Sequence, residues 1–129
     1  MHIHNAGERQ LTELDYVRLS KLDGGHLADA FSAADLVPSR EIAADVVTMN
    51  TQAEIVFTDS GLKQTVTPCY PADVAPVMGF VSVLSPLGAA LLGLRVGDVA
   101  VWQLPHGEER SALVARIVFQ PEASGDYTT

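Results

Sequence analysis

The sequence predicts an α+β fold, in which a short helical N-terminal part is followed by an antiparallel β-sheet with one short helix. Before residue 45, apolar residues recur at helical spacing, whereas after it short β-branched and aromatic runs alternate with turn residues. A glycine-rich stretch, residues 85–98, lies between two of these strand-like runs. Strands in succession with one intervening helix are typical of α+β proteins. We therefore predict a helical N-terminal region, residues 1–45, and a β-sheet domain, residues 46–129.

The first predicted helix begins near Leu11 and has about 12 residues, a length of about 18 Å. Leu11, Leu14 and Val17 recur on one side, as expected for a face that packs on the rest of the chain. Thr12 and Asp15 have the spacing of an N-terminal capping box. Gly24-Gly25 is expected to end the helix.

A second helical segment follows the two glycines. Its apolar residues hold positions i, i+3, i+4 and i+7: Leu27, Ala30, Phe31 and Ala34. Pro38 is expected to end it, and Ser39 can cap a further single turn through Ile42. The two segments together predict a short antiparallel helical hairpin that folds back at Gly24-Gly25.

The strand pattern after residue 45 predicts six strands, at residues 46–50, 53–58, 63–70, 80–84, 99–104 and 110–119. The proline-bearing stretch 71–78 is predicted to be a crossover connection. Core or sheet-face positions are predicted for Leu87, Leu91, Val99, Val101, Val114, Ile117 and Val118. Leu62 and Val66 are assigned to the buried side of the third strand, Cys69 to the core, and Trp102 to a half-exposed position.

Residues 85–98 read as a short buried helix and a tight turn. Ser85 can cap the helix, and Pro86 suits its first position because the missing N–H would be unpaired there in any residue. Gly93 can supply the left-handed residue that ends it, and Gly97-Asp98 then forms a turn.

This stretch resembles the signature Ser-Pro-x-Gly-x-Ala-Leu-Leu-Gly-x-x-x-Gly-Asp of the C-terminal domains of the bacterial transcript cleavage factors of the GreA/GreB family. Residues 45–50 and 120–127 resemble motifs of the Rnk type of this family, the regulators of nucleoside diphosphate kinase. The resemblance covers roughly residues 45–127. It implies an FKBP-like fold, a twisted sheet wrapped on the signature helix. It also implies docking on the rim of the secondary channel of RNA polymerase through Ser85, Pro86, Leu87 and Gly88. The acid that can precede Ser-Pro in this family is Leu84 here.

Charge and motif content exclude several function classes. Eight basic and sixteen acidic residues give a net charge of −8, without a cluster of Lys and Arg that could bind a phosphate backbone. We therefore expect a protein partner and no direct nucleic acid contact. The chain has no zinc spacing, phosphate loop or nucleophile elbow, and the pair His2 and His4 is a poor metal site. These absences predict a protein that is not an enzyme and has no cofactor.

The sequence also leads to expectations about the cellular location of the protein and about transcript cleavage. It has no apolar run of about 18 residues and no signal peptide pattern, which predicts a cytoplasmic protein without a membrane span. The cleavage factors insert a long helical arm with an acidic tip that binds magnesium. The first helix here is too short for that reach, and neither Asp23 nor Asp29 matches the acidic motif. We therefore expect no stimulation of transcript cleavage.

Two other functions stay open. An FKBP-like fold is compatible with prolyl isomerase or chaperone activity, although one Trp, three Tyr and four Phe leave little for an aromatic pocket. The resemblance to the Rnk type implies control of nucleoside diphosphate kinase, which would act through protein contact because the chain has no recognisable nucleotide site. The oligomeric state is not predicted by the sequence.

Overall fold

The structure, a computed structural model, describes residues 9–22 and 25–127, with only the backbone of His26. The predictions for His2, His4, Asp23 and Gly24 lie outside these residues. The helices are α1 (Glu13–Leu19), α2 (His26–Ala30) and α3 (Pro86–Leu91). The strands are β1 (Gln10–Thr12), β2 (Asp35–Val37), β3 (Gln52–Phe57), β4 (Lys63–Cys69), β5 (Phe80–Ser82), β6 (Val99–Gln103) and β7 (Glu109–Phe119). Short 3₁₀ turns occur at Ser39–Glu41, Pro71–Asp73, Pro76–Met78 and Glu122–Ser124.

Five strands form the main sheet in the order β5-β4-β3-β7-β6, and β1 and β2 form a separate parallel pair. This arrangement confirms the predicted mixed α+β class. The sheet is antiparallel except for β4 and β5, where Thr67 pairs with Phe80 in parallel register. The expectation of an antiparallel sheet was therefore wrong at β5. The connection through residues 71–78 carries the chain back along β4, so β5 runs in the same direction as β4.

The main core lies between the sheet and α3, where Ala90, Leu91 and Leu94 contact buried residues of β3, β6 and β7. Trp102 is only 8% exposed and packs edge-on against Phe57, with 6.2 Å between ring centroids. The prediction of a half-exposed Trp102 was wrong. Its strand has the opposite phase from the one expected, so that Ala100 and Trp102 are buried while Val99 and Val101 are half-buried.

Other assignments of buried positions had mixed outcomes. Leu91, Val114, Val66 and Cys69 are fully buried, as predicted. Leu62 is 67% exposed, so its placement on the buried side was wrong. Val118, predicted for the core or a sheet face, lies in β7 and is 43% exposed. Leu62 lies in the turn that precedes β4, outside the strand whose alternation was used to place it.

The N-terminal helices are shorter than predicted. α1 has seven residues, because Leu11 and Thr12 belong to β1 and pair in parallel with β2. Thr12 nevertheless caps α1, since its Oγ1 accepts a hydrogen bond from the Asp15 N–H at 3.0 Å. The buried face of the helix carries Asp15 and Leu19, whereas Val17, which shares the apolar side of the predicted pattern, is 51% exposed.

The second helix also ends earlier than its pattern suggested. α2 stops at Ala30 and the chain then forms turns and β2, so the predicted helix through Ala34 is about one turn too long. The single turn predicted after Pro38 is present as a 3₁₀ turn at Ser39–Glu41.

A second hydrophobic cluster joins the N-terminal part to the rest of the chain. Leu11, Leu19 and Phe31 are buried there together with Met49, Val83 and Leu92. The segment that contains Met49 was predicted as a strand over residues 46–50. It is instead a turn in which Asn50 has a positive φ of 67°, with a single bridge between Val46 and Arg95. Over the described residues, no helix is both long enough and apolar enough to cross a membrane.

Candidate functional site

The four residues singled out for partner binding lie where β5 passes into α3. Ser85 is the N-cap of α3, because its Oγ accepts a hydrogen bond from the Gly88 N–H at 3.2 Å. The same hydroxyl donates to the Ser82 carbonyl at 2.6 Å, so Ser85 is fixed on both sides. Pro86 occupies the first helical position, as its sequence predicted. The helix start is therefore held rigidly against the end of β5.

These residues differ in how far they reach solvent. Pro86 is exposed, and the preceding Leu84 is 42% exposed. Ser85 is half-buried, and Leu87 is half-buried because its side chain packs on the main core. Gly88 is buried. A partner approaching this corner would meet Leu84 and Pro86 first.

Gly88 is required by a close approach between two backbone segments. A Cβ at this position would lie 2.1 Å from the Ser82 carbonyl oxygen and 3.0 Å from the Val83 Cα. Only glycine lets the first turn of α3 sit so near β5. Gly88 thus positions the helix start, and its absent side chain is what permits the contact.

Exposed apolar side chains also occur at the other end of β5, where the sequence analysis did not single them out. Val77 is 102% exposed and Met78 is 73% exposed. Their signal in the sequence was two large apolar residues inside a proline-bearing connection. We call Val77, Met78, Leu84 and Pro86 the β5-edge surface, because they flank this edge strand at its two ends.

The backbone along the outer side of β5 is already hydrogen-bonded in part. Phe80 and Ala75 exchange two hydrogen bonds, each of 3.1 Å. The Ser82 carbonyl accepts from the Ser85 N–H at 3.0 Å. These bonds disfavour the addition of a further strand here. Recognition at this edge would rest on the side chains of the β5-edge surface.

The C-terminal end of α3 is held by the N-terminal part of the chain. Arg9 donates from one guanidinium nitrogen to the Ala89 and Leu92 carbonyls, at 2.9 and 3.0 Å. The guanidinium also lies over the Phe31 ring, 5.3 Å from its centroid. Burial lowers the pKa of Arg9, and the negative charge of Asp98 acts in the opposite direction. Arg9 therefore connects the position of α3 to that of the N-terminal segments.

Two buried carboxyl groups contact the turn that contains Met49 of the second hydrophobic cluster. Asp15 is 1% exposed, and its Oδ2 accepts a hydrogen bond from the Met49 N–H at 3.2 Å. Glu122 is 7% exposed, and its Oε1 accepts from the Thr48 hydroxyl at 2.7 Å. Burial raises the pKa of Asp15 to about 7 and also raises the pKa of Glu122. The sequence analysis gave Asp15 only a role at the N-terminus of α1.

An open groove of about 320 Å³ is lined by Arg18, Lys21 and Tyr70, of which Arg18 and Tyr70 interact electrostatically with Asp15. The Tyr70 hydroxyl is buried and has no hydrogen bond of good geometry. Arg18 lies close to it and, by stabilising the ionised phenolate, lowers the pKa of Tyr70. Burial and the charge of Asp15 nevertheless raise the pKa of Tyr70 to about 12. Within residues 9–22 and 25–127, no three His, Cys, Asp or Glu side chains are grouped so that they could hold a metal ion.

The order of the elements and the signature around α3 agree with a known family of proteins. A family model described as transcription elongation factor, GreA/GreB, C-term matches residues 42–118. The chain belongs to the GreA/GreB family. This finding confirms the resemblance identified from residues 85–98.

Individual relatives extend the match over most of the chain. The regulator of nucleoside diphosphate kinase of Escherichia coli strain K12 is 41% identical over 105 residues, which are 78% of this chain and 77% of that protein. The transcription elongation factor GreA of Solidesulfovibrio magneticus is 29% identical over 101 residues, or 78% of this chain and 62% of the relative.

Solved structures show the same fold. A transcription elongation factor GreA/GreB from Nitrosomonas europaea superposes with a TM-score of 0.69 at 29% identity, covering 87% of this chain and 98% of its own. The Gfh1 protein of Thermus thermophilus gives a TM-score of 0.52 at 24% identity and covers 87% of this chain and 99% of its own, which supports the fold alone. The mixed α+β architecture is therefore shared with this family. The FKBP-like description and the hairpin arrangement of α1 and α2 stay predictions.

Proposed function

We propose that this GreA/GreB family member is a regulator of transcription that binds RNA polymerase near its secondary channel through the β5-edge surface. The observation that carries the proposal is the exposure of Leu84 and Pro86 at a helix start that Ser85 and Gly88 hold rigidly. This corner contains the Ser-Pro signature through which the family resemblance implies docking.

The chemistry of the surface suits a protein partner. Because the backbone at this corner is already fixed, binding there costs little backbone entropy, which favours affinity. Pro86 adds no rotamer freedom at all, and Leu84 is anchored through its N–H, which donates to the Ser82 hydroxyl at 3.0 Å. A chain with a net charge of −8 is unsuited to binding the phosphate backbone of nucleic acid directly.

We propose further that binding occurs without stimulation of transcript cleavage. α1 and α2 have seven and five residues, so the longer of them spans only about 10 Å. An arm of this length suits occupation of the channel rim better than delivery of acidic residues to a distant catalytic magnesium. Such a protein would compete with factors that enter the channel.

Binding to bacterial core RNA polymerase tests the proposal directly. The double variant Leu84→Asp with Pro86→Asp should lose saturable binding, whereas Leu62→Asp should retain it. Leu62 is a matched control because it is 67% exposed but lies in the turn between β3 and β4, outside the corner formed by Leu84 and Pro86. Equal binding by the double variant and the wild type would show that RNA polymerase does not bind at Leu84 and Pro86, and would overturn the proposal.

Competition and cleavage assays complete the test. Purified GreA should displace the wild-type protein from RNA polymerase, and the protein should slow GreA-stimulated cleavage in a stalled elongation complex. Added alone, it should leave the cleavage rate at the intrinsic value. A stimulated rate would contradict the part of the proposal that rests on the short helices.

A second candidate function is favoured by the name of the Escherichia coli relative, a regulator of nucleoside diphosphate kinase. In this alternative the kinase is a protein partner. A change in kinase turnover on addition of the purified protein, abolished in the Leu84→Asp, Pro86→Asp variant, would place the kinase on the same surface. No effect on turnover would leave only an influence through transcription.

A further inference from the structure

Two buried acids reach the same turn from opposite ends of the chain. Asp15, in α1, accepts from the N–H of Met49, and Glu122, just beyond β7, accepts from the hydroxyl of Thr48. The turn is closed by Thr51, whose Oγ1 accepts from the Thr48 N–H at 3.0 Å. Segments 34 and 74 residues away in sequence are thereby joined to one short piece of backbone.

Charge at this junction is poorly compensated. The groups that act on Asp15 are Arg18 on its own helix, Glu122 from the C-terminal turn and Tyr70 at the end of β4. Burial makes the largest contribution to the raised pKa of Asp15, and Glu122 raises it further. The hydrogen bonds from the Met49 N–H and from Thr12, together with the charge of Arg18, lower it without cancelling the effect of burial.

Opposing effects act on the pKa of Glu122 as well. Burial raises its pKa, the hydrogen bond from Thr48 opposes that effect, and the nearby Asp126 adds to it. When both carboxyl groups are ionised, two negative charges are held in a poorly solvated region on either side of one turn. Burial of charge is costly and is only partly offset here by Arg18 and the hydrogen bonds, so this state opposes close packing of α1.

We propose that Asp15 and Glu122 form a proton-dependent latch that holds α1 against the turn at residues 48–51 when the acids are neutral and loosens it when both are ionised. The sign follows from proton linkage. An acid whose pKa is higher in the closed state than in the open state binds more protons when closed, so closure is favoured at low pH. For Asp15 the stabilisation is complete below about pH 4 and is lost as the pH rises to about 7. Above that value the opening constant should level off.

Hydrogen exchange of the α1 amides measures this opening. Protection factors, corrected for the intrinsic pH dependence of exchange, should fall by more than about tenfold in the wild type between pH 5 and pH 7, since each fully linked proton changes an equilibrium tenfold per pH unit. They should be nearly constant from pH 7.5 to pH 8.5. Asp15→Asn keeps an oxygen acceptor for the Met49 N–H but cannot ionise, so its profile should lose the part of the slope that Asp15 contributes and keep only the part that Glu122 contributes. Glu122→Gln should reduce the slope.

Matched controls separate the latch from a general effect of charge. Glu13→Gln removes an acid from the same helix at an exposed position and should leave the wild-type profile unchanged. A flat wild-type profile, or an Asp15→Asn profile with the wild-type slope, would overturn the proposal. Should Asp15→Asn fail to fold, carbon-13 NMR of the carboxyl carbon of Asp15 in the wild type decides: a midpoint below about pH 5 would also overturn it.

Discussion

Gly88→Ala tests the tightest contact of the candidate docking corner. The new Cβ would stand 2.1 Å from the Ser82 carbonyl oxygen, against about 3.5 Å for a favourable contact between nonbonded heavy atoms. The Cβ is fixed to the helix backbone and the oxygen belongs to the backbone of β5, so the two elements must separate by roughly 1.4 Å to reach a favourable contact. Overpacking of this kind costs roughly 1–3 kcal/mol. The shift would also loosen Ala90 and Leu91, which α3 buries in the main core.

Ordinary helix propensity predicts the opposite sign. Replacing glycine by alanine inside a helix usually stabilises it by about 1 kcal/mol. Because the contact would be as short as 2.1 Å, we expect the clash to cost about 3 kcal/mol, at the upper end of that range, and the net destabilisation to be about 2 kcal/mol. Gly107→Ala is the control, because it has a left-handed φ of 93° but open space around its Cβ, and it should cost only about 1 kcal/mol.

Urea unfolding followed through the fluorescence of Trp102 provides the assay. This residue is the single tryptophan of the chain and is buried in the main core. The midpoint should move down in Gly88→Ala with little change in the slope of the free energy of unfolding against urea concentration. A Gly88→Ala variant as stable as the wild type, or more stable, would refute the assignment of Gly88 to a close backbone approach.

Two further predictions concern the ends of α3. Arg9→Met should lower the free energy of unfolding by roughly 1–3 kcal/mol, because the Ala89 and Leu92 carbonyls lose a charged donor; an unchanged urea midpoint would show that water replaces the guanidinium without cost. Ser85→Ala should cost about 1 kcal/mol through loss of the bond from the Gly88 N–H, yet leave RNA polymerase binding within a few fold when the protein remains folded. Loss of binding by folded Ser85→Ala would mean that the hydroxyl itself contacts the partner.

Local chemistry explains which elements the sequence predicted well. The cap at Ser85, the left-handed φ of 85° at Gly93 and the cap of α1 by Thr12 each depend on a few neighbouring residues. The strands β3, β4 and β7 were predicted within one residue at every end, because each has turn chemistry on at least one side.

Features that depend on distant contacts were predicted less well. Leu11 had the spacing of a helical residue, but pairing with β2 draws it into β1. In β6 the alternation permits either phase, and packing against Phe57 selects the one that buries Trp102. The buried carboxyl of Asp15 was missed because its partner, the Met49 N–H, is 34 residues away.

Around α3, some residues of the family signature maintain the fold and others are available to contact a partner. Gly88 has no side chain to offer a partner and Ser85 uses its hydroxyl within the chain, so both residues are required whether or not anything binds. The side chains of Leu84 and Pro86 have no comparable structural role and are exposed. The signature can therefore persist in a protein that has kept the fold but no longer binds RNA polymerase. Variants at Leu84 and Pro86 consequently test function, whereas variants at Ser85 and Gly88 test the frame that presents it.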